Sequence, residues 1–549
     1  MSKTAVDSSG SVIMGRNSMG LFGAISYIIG NIVGSGIFIT PASILSNVES
    51  VGLSLIVWVV AAVISILGAF CYVELGTSIR KSGADYAYTC YVAWYPIAFA
   101  FMCVGCIMVY PATLAVQAEV FSEYIIRGID ITFENEMNQY WAKKCLSFSL
   151  IWLLLFLNFF SIKTFVSRFQ IIASLAKVLA CVIIVGTGFY FLAIKGKTEY
   201  LENMFDGSTT NAKNIVDGLF AGLFSYDGWD IINFGMEEVE NPKRNMPLAI
   251  IIAMSLIALF YLALNVSYFT ILSPQQVKDS SAVAIDFANG SLGDFKYCIP
   301  FFIAVLLIGS LNSTMFSASR FLYAASREGH LPGFISCVNK FHDSPRAALL
   351  IHVLLAMMFS FAGNLDTLIQ YVSFAQWFQR MITMLALMWI RFRHINVHPD
   401  AIKTPIVLPI FFFLVCTALT GVTIWESPTT AGVALGLVGG GLIIYIIFIW
   451  NKTLNRFEWY RKVAAKINNK TSIFTQIIFN GLIDQYLVDD HDPASGLLHN
   501  KEIIAQKICE KTATTKRNGF INKALDISSE SSLSYRGNSN NEKVKPSPL

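Results

Sequence analysis

The sequence predicts an all-α integral membrane protein with about twelve transmembrane helices, and two observations support this fold class. First, 54% of the 549 residues are hydrophobic and only 14% are charged, whereas soluble domains carry about a quarter charged residues. Second, the apolar residues come in blocks near the roughly 20 residues that a bilayer-spanning helix needs. These blocks include residues 53–70, 146–160, 248–264 and 433–450.

Hydropathy, turn residues and charges together place the spans along the chain. The spans lie near residues 18–41, 51–75, 91–122, 146–162, 169–193, 214–235, 248–272, 297–324, 346–362, 366–390, 405–425 and 430–450. The chain is predicted to consist of an N-terminus at 1–17, a twelve-helix domain at 18–450 and a tail at 451–549. The domain comprises five spans at 18–193, five spans at 214–390 and two extra helices at 405–450.

The loops between these spans alternate in charge, and the alternation predicts the orientation. Lys and Arg concentrate in the loops that lie on the side of the N-terminus, which the positive-inside rule assigns to the cytoplasm. An even number of spans returns the C-terminus to the cytoplasm as well. From about residue 512 the tail is rich in Ser, Asn and Lys, so we expect its end to be disordered.

Two short surface motifs each leave two interpretations open. The chain ends Ser547-Pro548-Leu549, a Ser-x-apolar terminus of the kind that PDZ domains bind, and a plain disordered end is the alternative. Asn289 begins an Asn-Gly-Ser glycosylation motif in a predicted outer loop, and many such motifs stay unoccupied.

Several classes of protein are disfavoured by what the sequence lacks. Basic residues do not cluster with aromatic residues as a nucleic-acid groove requires. The ten cysteines are scattered without metal-ligand or disulfide spacing, so no cofactor is predicted. A membrane enzyme is disfavoured because only His352 of the histidines lies in a span and no His/Glu metal motif occurs. A channel is disfavoured by the lack of short pore loops and rings of charge.

The first span contains Gly30-Asn31-Ile32-Val33-Gly34-Ser35-Gly36, with glycines spaced closely inside an apolar helix. Each interior Gly costs about 0.5 to 1 kcal/mol relative to Ala. We predict that the helix unwinds at Gly34-Ser35-Gly36, since irregular backbone is tolerated at membrane depth where it lines a cavity. Close helix packing through small residues is the alternative.

The sixth span is also interrupted, by Tyr226-Asp227-Gly228-Trp229-Asp230. A carboxylate inside a membrane span is costly unless it faces a cavity or a partner, so Asp227 and Asp230 are candidate functional residues. The alternative is that the span is displaced and both acids lie at its mouth. Spans one and six each open a set of five, which is where inverted-repeat transporters place their paired broken helices. Such helix ends bind a carboxylate and an ammonium, the two groups of a zwitterionic amino acid.

At these residues the sequence resembles the L-type amino acid transporters, the light-chain family of heteromeric amino acid exchangers in the amino acid, polyamine and organocation superfamily. The resemblance covers about residues 14–450. The motifs that carry it are Ile32-Val33-Gly34-Ser35-Gly36-Ile37-Phe38, Glu74-Leu75-Gly76, Lys81-Ser82-Gly83-Ala84-Asp85-Tyr86, Tyr226-Asp227-Gly228-Trp229, Glu237-Glu238, Asn241-Pro242, Arg244-Asn245-Met246-Pro247, Ser319-Arg320 and Arg327-Glu328-Gly329-His330-Leu331-Pro332.

The resemblance implies a LeuT-like fold of five plus five inverted helices and the exchange of L-amino acids across the plasma membrane without sodium. It implies that neutral amino acids, large or aromatic, are carried, and it places amides of Gly34, Ser35 and Gly36 on the substrate carboxylate. The implied positions around the ammonium and side chain are Ile32, Phe224, Asp227, Gly228, Asp230, Phe374 and Trp377. A receptor that kept this fold and lost transport is the alternative function.

Lys177 lies about 12 Å inside the fifth span at 1.5 Å per residue. The resemblance places its ammonium where sodium-coupled relatives hold a cation, and snorkelling to the interface is the alternative. Glu74, Glu238 and Arg244 lie at the predicted inner ends of spans and are candidate gate or scaffold charges.

Two departures from the family pattern affect partners and substrates. Residues 130–141 contain no cysteine, and Cys145 lies at the start of span four. This argues against a disulfide-linked heavy chain and leaves a noncovalent one open. Asp230 stands where many members have Asn, and Asp227 where some have Gly. These acids either admit a cationic or hydrogen-bonding side chain or pair with another group such as Lys177.

Overall fold

A computed structural model describes most of the chain up to residue 483. The described residues are 5–6, 12–13, 20–80, 83–129, 131, 133–160, 163–234, 239–327, 330–339, 344–450 and 453–483. Two dipeptide strands near the N-terminus, β1 (Ala5–Val6) and β2 (Val12–Ile13), pair antiparallel. Nearly all other regular structure is helical, which confirms an all-α membrane protein.

The first half of the chain forms the helices of predicted spans one to five. These are α1 (Leu21–Ile32), α2 (Gly36–Val48), α3 (Val51–Ser78), α4 (Ala84–Tyr91), α5 (Tyr95–Val104), a π-helical turn (Gly105–Val109), α6 (Tyr110–Gly128), α7 (Glu136–Phe159), α8 (Lys163–Ala193) and a 3-10 turn (Glu199–Leu201). The π turn ends two residues before Pro111, whose missing N–H cannot donate the α-helical hydrogen bond to this turn.

The second half begins with another interrupted helix. Its elements up to the last predicted span are α9 (Ala212–Ser225), α10 (Ile231–Phe234), α11 (Pro242–Phe269), α12 (Pro274–Asp279), α13 (Val283–Ser291), a 3-10 turn (Gly293–Tyr297), α14 (Cys298–Arg327), a 3-10 turn (Gly333–Ser336), β3 (Cys337–Asn339), α15 (Arg346–Phe359), α16 (Leu365–Phe392), α17 (Val407–Glu426), α18 (Pro428–Ile444) and a π turn (Tyr445–Ile449).

The predicted tail is structured at its start. A 3-10 turn (Leu454–Arg456) leads to helix α19 (Glu458–Phe479) and strand β4 (Gly481–Ile483). Strand β4 pairs antiparallel with β3, so this part of the tail returns to the connection between α14 and α15. The sequence analysis assigned no structure to α19 or β4, and a three-residue strand such as β4 is too short to show an alternation pattern. The predicted disordered end lies outside the described residues.

Each of the twelve predicted spans coincides with helix. Eight helices of the described residues are long and apolar enough to cross a membrane, and the bent pair α1–α2 raises the number to nine. The other three predicted spans correspond to α9–α10, which a break shortens, to α15, which has 14 residues, and to α16, which carries three charged residues. Helix α7 extends beyond predicted span four on its N-terminal side, since it begins at Glu136 and the span was predicted from about residue 146.

The packing of these helices brings the two interrupted helices together. Helix α2 packs against α9, and α1 packs against α10 and α11. Helix α16 contacts α9 from another side, while α8 packs against α11 and α14. The breaks therefore face each other inside the helical domain rather than lying at its edge.

Candidate functional site

The first break lies where the sequence predicted it. Helix α1 ends at Ile32, α2 begins at Gly36, and the two helices meet at a bend of 50°. The first turn of a helix leaves its backbone N–H groups without intrahelical acceptors, so the start of α2 offers amide donors. Ser35 is 3% exposed, which places these donors in the interior of the protein.

The second break is also confirmed, at residues 226–230 between α9 and α10. Gly228 has a φ of 104°, a conformation that side chains with a Cβ rarely adopt. Asp230 is buried and Asp227 is half-buried, so these acids face the protein interior and do not lie at an exposed mouth.

The backbones of the two breaks approach each other closely. A Cβ added to Gly36 would lie 2.7 Å from the Ser225 Cα, so α2 and α9 need a glycine at this crossing. The Oγ1 of Thr40 and the Oγ of Ser225 are hydrogen-bonded at 2.6 Å. On the other side of the crossing, the Asn31 Nδ2 donates to the Gly228 carbonyl at 3.3 Å.

Tyr261 of α11 links the ends of α1 and α9. Its hydroxyl lies 3.1 Å from the Ile32 carbonyl oxygen and 3.2 Å from the Ser225 carbonyl oxygen. Carbonyls at the end of a helix have no intrahelical donor and carry partial negative charge. A single hydroxyl donates one hydrogen, so it leaves these carbonyls with capacity for a further cationic donor.

Asp227 and Asp230 pair with Arg380 of α16, a residue that the sequence analysis missed. The Arg380 Nη2 lies 2.5 Å from the Asp227 Oδ1 and 3.8 Å from the Asp230 Oδ2. The Gln376 Nε2 donates to the other Asp227 oxygen at 3.0 Å. The predicted alternative that these acids pair with another group is therefore confirmed, but the partner is Arg380 and not Lys177. An arginine in the middle of a predicted span is itself a functional signal, and this rule applied to α16 would have found it.

A third acid, Asp85 of α4, lies near this cluster. Its carboxylate accepts hydrogen bonds from the Tyr72 hydroxyl and, at 2.7 Å, from the Thr383 Oγ1. A cavity of about 70 Å³ opens beside Asp85, Asp230 and Arg380. Asp230 is the predicted substrate-binding residue that lines it, and the other lining residues include Tyr86, Tyr110, Phe321, Gln376 and Gln379.

Lys177 of α8 points toward the first break. Its side chain is buried, and its Nζ donates to the Gly30 carbonyl oxygen at 2.7 Å. Gly30 belongs to the last turn of α1, where carbonyls have lost their helical donors. The ammonium is therefore held by the end of an interrupted helix, and it does not snorkel to a surface.

The predicted aromatic residues differ in their surroundings. Phe224 is half-buried at the end of α9. Trp377 is 1% exposed, and the Arg380 Cζ lies 5.0 Å from the centroid of the Trp377 ring. Phe374 is fully buried and stacks on Phe378 with centroids 6.2 Å apart. Phe224 is thus the accessible one of the three predicted aromatic contacts.

The candidate gate charges are dispersed. Glu74 is buried and binds Arg391 through both its oxygens, and it also accepts from the Thr404 N–H at 3.1 Å. It thereby ties α3 to α16 and to the loop before α17. Arg244 is exposed in the first turn of α11, whereas Glu238 lies outside the described residues.

The remaining predicted surface features lie away from the breaks. Asn289 is exposed in the last turn of α13, and Cys145 is an exposed free cysteine on α7. Ser547, Pro548 and Leu549 of the PDZ-type terminus lie outside the described residues.

Comparison with known proteins identifies related chains along nearly the whole helical domain. Residues 19–450 match the amino acid permease family. The chain is 58% identical to "Amino acid transporter protein 6" of Caenorhabditis elegans, over 84% of this chain and 88% of that protein. It is 34% identical to the human cystine/glutamate transporter, over 84% and 91% of the two chains. It is also 34% identical to the human b(0,+)-type amino acid transporter 1, over 84% and 93%. The resemblance drawn from the motifs is confirmed.

Proposed function

The chain belongs to the amino acid permease family, and we propose that it is a sodium-independent L-amino acid transporter that exchanges substrates by alternating access. The observation that carries this proposal is the close crossing of two helix breaks in the protein interior. Interrupted helices leave backbone groups that a substrate satisfies, and they let one helix set move against another. The proposed fold is the LeuT-like arrangement of five plus five inverted helices with two extra helices.

The two breaks suit the two charged groups of an amino acid. The amides of Gly34, Ser35 and Gly36 at the start of α2 are proposed to bind the carboxylate, since a helix N-terminus favours an anion. The carbonyls of Ile32, Phe224 and Asp227 are proposed to bind the ammonium. Phe224 then covers the bound substrate, with Gly228 allowing the backbone to approach.

Lys177 is proposed to replace a sodium ion. Its ammonium donates a hydrogen bond to the Gly30 carbonyl oxygen at the end of α1. A bound sodium ion would be coordinated by a carbonyl oxygen of this kind. A covalently attached charge needs no ion gradient, so transport would not require sodium. The charge also balances the partial negative charge of the α1 end.

The acids at the second break affect which substrate side chains the site can bind. Both oxygens of Asp227 already accept hydrogen bonds, from Arg380 and Gln376. A cationic side chain must share this carboxylate with Arg380, so we propose neutral amino acids, large or aromatic, as the first substrate class. Cationic amino acids form the second class, because Asp85, Asp227 and Asp230 formally outnumber Arg380.

The location and partners follow from the sequence. We propose a plasma-membrane protein with both termini in the cytoplasm, in line with its Lys and Arg distribution. A PDZ protein is the proposed partner of the C-terminal Ser547-Pro548-Leu549. A disulfide-linked heavy chain is not proposed.

The test is uptake of a labelled amino-acid panel into proteoliposomes of the purified chain, with and without sodium and with varied internal amino acid. We expect uptake that is independent of sodium and accelerated by internal substrate. Gly36→Ala should abolish uptake because its Cβ would meet the Ser225 backbone, whereas Gly30→Ala should retain it because a Cβ there meets nothing within 4 Å. Sodium dependence, or equal uptake by the two variants, would refute the proposal.

A further inference from the structure

Helix α19 follows the last membrane helix after a short connection and differs from the other helices in its surface. The side that packs on the protein consists mainly of small or polar residues, with half-buried Tyr460 and Phe479 near its two ends. The small or polar residues are Ala464, Asn468, Thr471, Ser472 and Thr475. The opposite side is apolar and exposed, with Trp459, Val463, Ile467, Phe474 and Ile477. A helix on the surface of a soluble domain has the reverse arrangement, with its apolar side facing the core.

The exposure of these apolar residues matches that of residues facing lipid. Phe474 is 65% exposed and Ile477 is 75% exposed, compared with 66% for Leu259 in the middle of α11. Leu259 belongs to a membrane-spanning helix, so lipid tails cover it. Exposed apolar residues also connect α19 to the end of the last membrane helix, because the ring centroid of exposed Phe448 lies 6.3 Å from that of Tyr460, next to exposed Trp459.

A row of lysines accompanies the apolar side of α19. Lys462, Lys466 and Lys470 are each four residues apart, so their side chains lie along one side of the helix, next to Val463 and Phe474. All three are exposed, and Lys462 forms an ion pair with Glu458 at 2.8 Å. By helical periodicity Lys462 and Lys466 lie at one edge of the apolar side and Lys470 lies within it. Long lysine side chains can bring their ammonium groups to anionic headgroups while the apolar residues contact acyl chains.

Several contacts hold α19 against the membrane domain. Strand β4 pairs with β3, and the Gly333 N–H donates to the Asn468 Oδ1 at 2.8 Å. The Arg346 Nη1 donates to the Phe479 carbonyl at 3.0 Å. These partners are β3 and Gly333 in the connection between α14 and α15, and Arg346 at the start of α15. The helix is thereby fixed along a surface and is not a continuation of the preceding span.

We propose that α19 lies in the membrane interface, with its apolar side among the acyl chains and its lysines on anionic lipid headgroups. The occupant of this surface is the leaflet next to the α14–α15 connection. A soluble partner protein that binds an amphipathic helix is the competing occupant, and the lysines and the continuity with the last span favour lipid.

The test places the photocrosslinker p-benzoylphenylalanine at position 477 or, as a matched control, at position 461 of the full-length protein in nanodiscs. By helical periodicity Arg461 lies about 160° around the helix from Ile477. We expect lipid adducts at position 477 and at least about fivefold fewer at position 461, measured by mass spectrometry.

Lipid charge and the lysines are then varied. The reference nanodiscs contain phosphatidylcholine and phosphatidylserine. We expect the yield of lipid adducts at position 477 to fall by about fivefold or more when phosphatidylserine is left out. We expect the same fall when K462Q, K466Q and K470Q are introduced together. R461Q should leave the yield unchanged, and retained uptake shows that each variant is folded. The proposal would be overturned by equal adduct yields at the two positions or by crosslinks from position 477 to another protein in cell membranes. It would also be overturned if the adduct yield at position 477 changed neither with lipid charge nor with the lysine substitutions.

Discussion

Among the described residues of the membrane domain, Lys144 and Lys177 are buried lysines that differ in what compensates their charge. Lys144 of α7 forms an ion pair with Glu119, donates to the Ser360 carbonyl, and lies 5.5 Å from the centroids of the Tyr140 and Phe361 rings. Lys177 of α8 donates to the Gly30 carbonyl, and no carboxylate of the described residues forms an ion pair with it.

The difference is consistent with a structural role for Lys144 and with the cation role that we propose for Lys177. A buried lysine with its own carboxylate is locally neutral, so it joins helices without affecting charge elsewhere. Lys177 instead places a positive charge that has no paired carboxylate at the end of a broken helix, near the proposed substrate site. Replacing Lys144 should therefore affect stability, and replacing Lys177 should affect transport.

The largest expected effect is on stability, for Lys144→Met. The substitution leaves the Glu119 carboxylate largely buried without its partner, which costs about 3 to 5 kcal/mol. Thermal unfolding of the purified protein in detergent should show a clearly lowered midpoint. Lys144→Met combined with Glu119→Gln removes both charges and should recover most of the loss. An unchanged midpoint for the single variant would contradict the structural role of this pair.

The second effect is on transport, for Lys177→Met. Loss of a charge-assisted hydrogen bond of about 1.5 to 3 kcal/mol should lower sodium-free uptake about 10- to 100-fold. The unfolding midpoint should change less than for Lys144→Met, because no carboxylate is left without a partner. The measurement is uptake per folded protein in proteoliposomes. Uptake at the level of the unmodified chain would show that this ammonium does not act as the cation.

The smallest expected effect is for Tyr261→Phe. The variant loses one neutral hydrogen bond at the breaks, worth about 0.5 to 1.5 kcal/mol, and keeps the buried ring. We expect substrate affinity to fall by about 2- to 10-fold, measured by concentration-dependent uptake. If Tyr261→Phe lowered uptake more than Lys177→Met does, the Tyr261 hydroxyl would contribute more than the lysine to substrate binding at the first break.

The sequence predicted the positions of both breaks because their causes are local. Glycines at 34 and 36 and the acids around Gly228 weaken the helix within a few residues, wherever the rest of the chain lies. Helix α7 begins ten residues before predicted span four, and its Lys144 is buried beside Glu119 of α6. Partners of this kind come from another helix and leave no local trace.

The sequence by itself determined that the chain is a bundle of lipid-solvated helices with two interruptions, since hydropathy and backbone preference depend on neighbouring residues. Only the tertiary structure decided that Arg380 compensates Asp227, that Lys177 reaches the end of α1, and that α19 exposes its apolar side. Charge pairing and burial depend on which distant segments meet, and the partners of Asp227 and Lys177 lie 153 and 147 residues away.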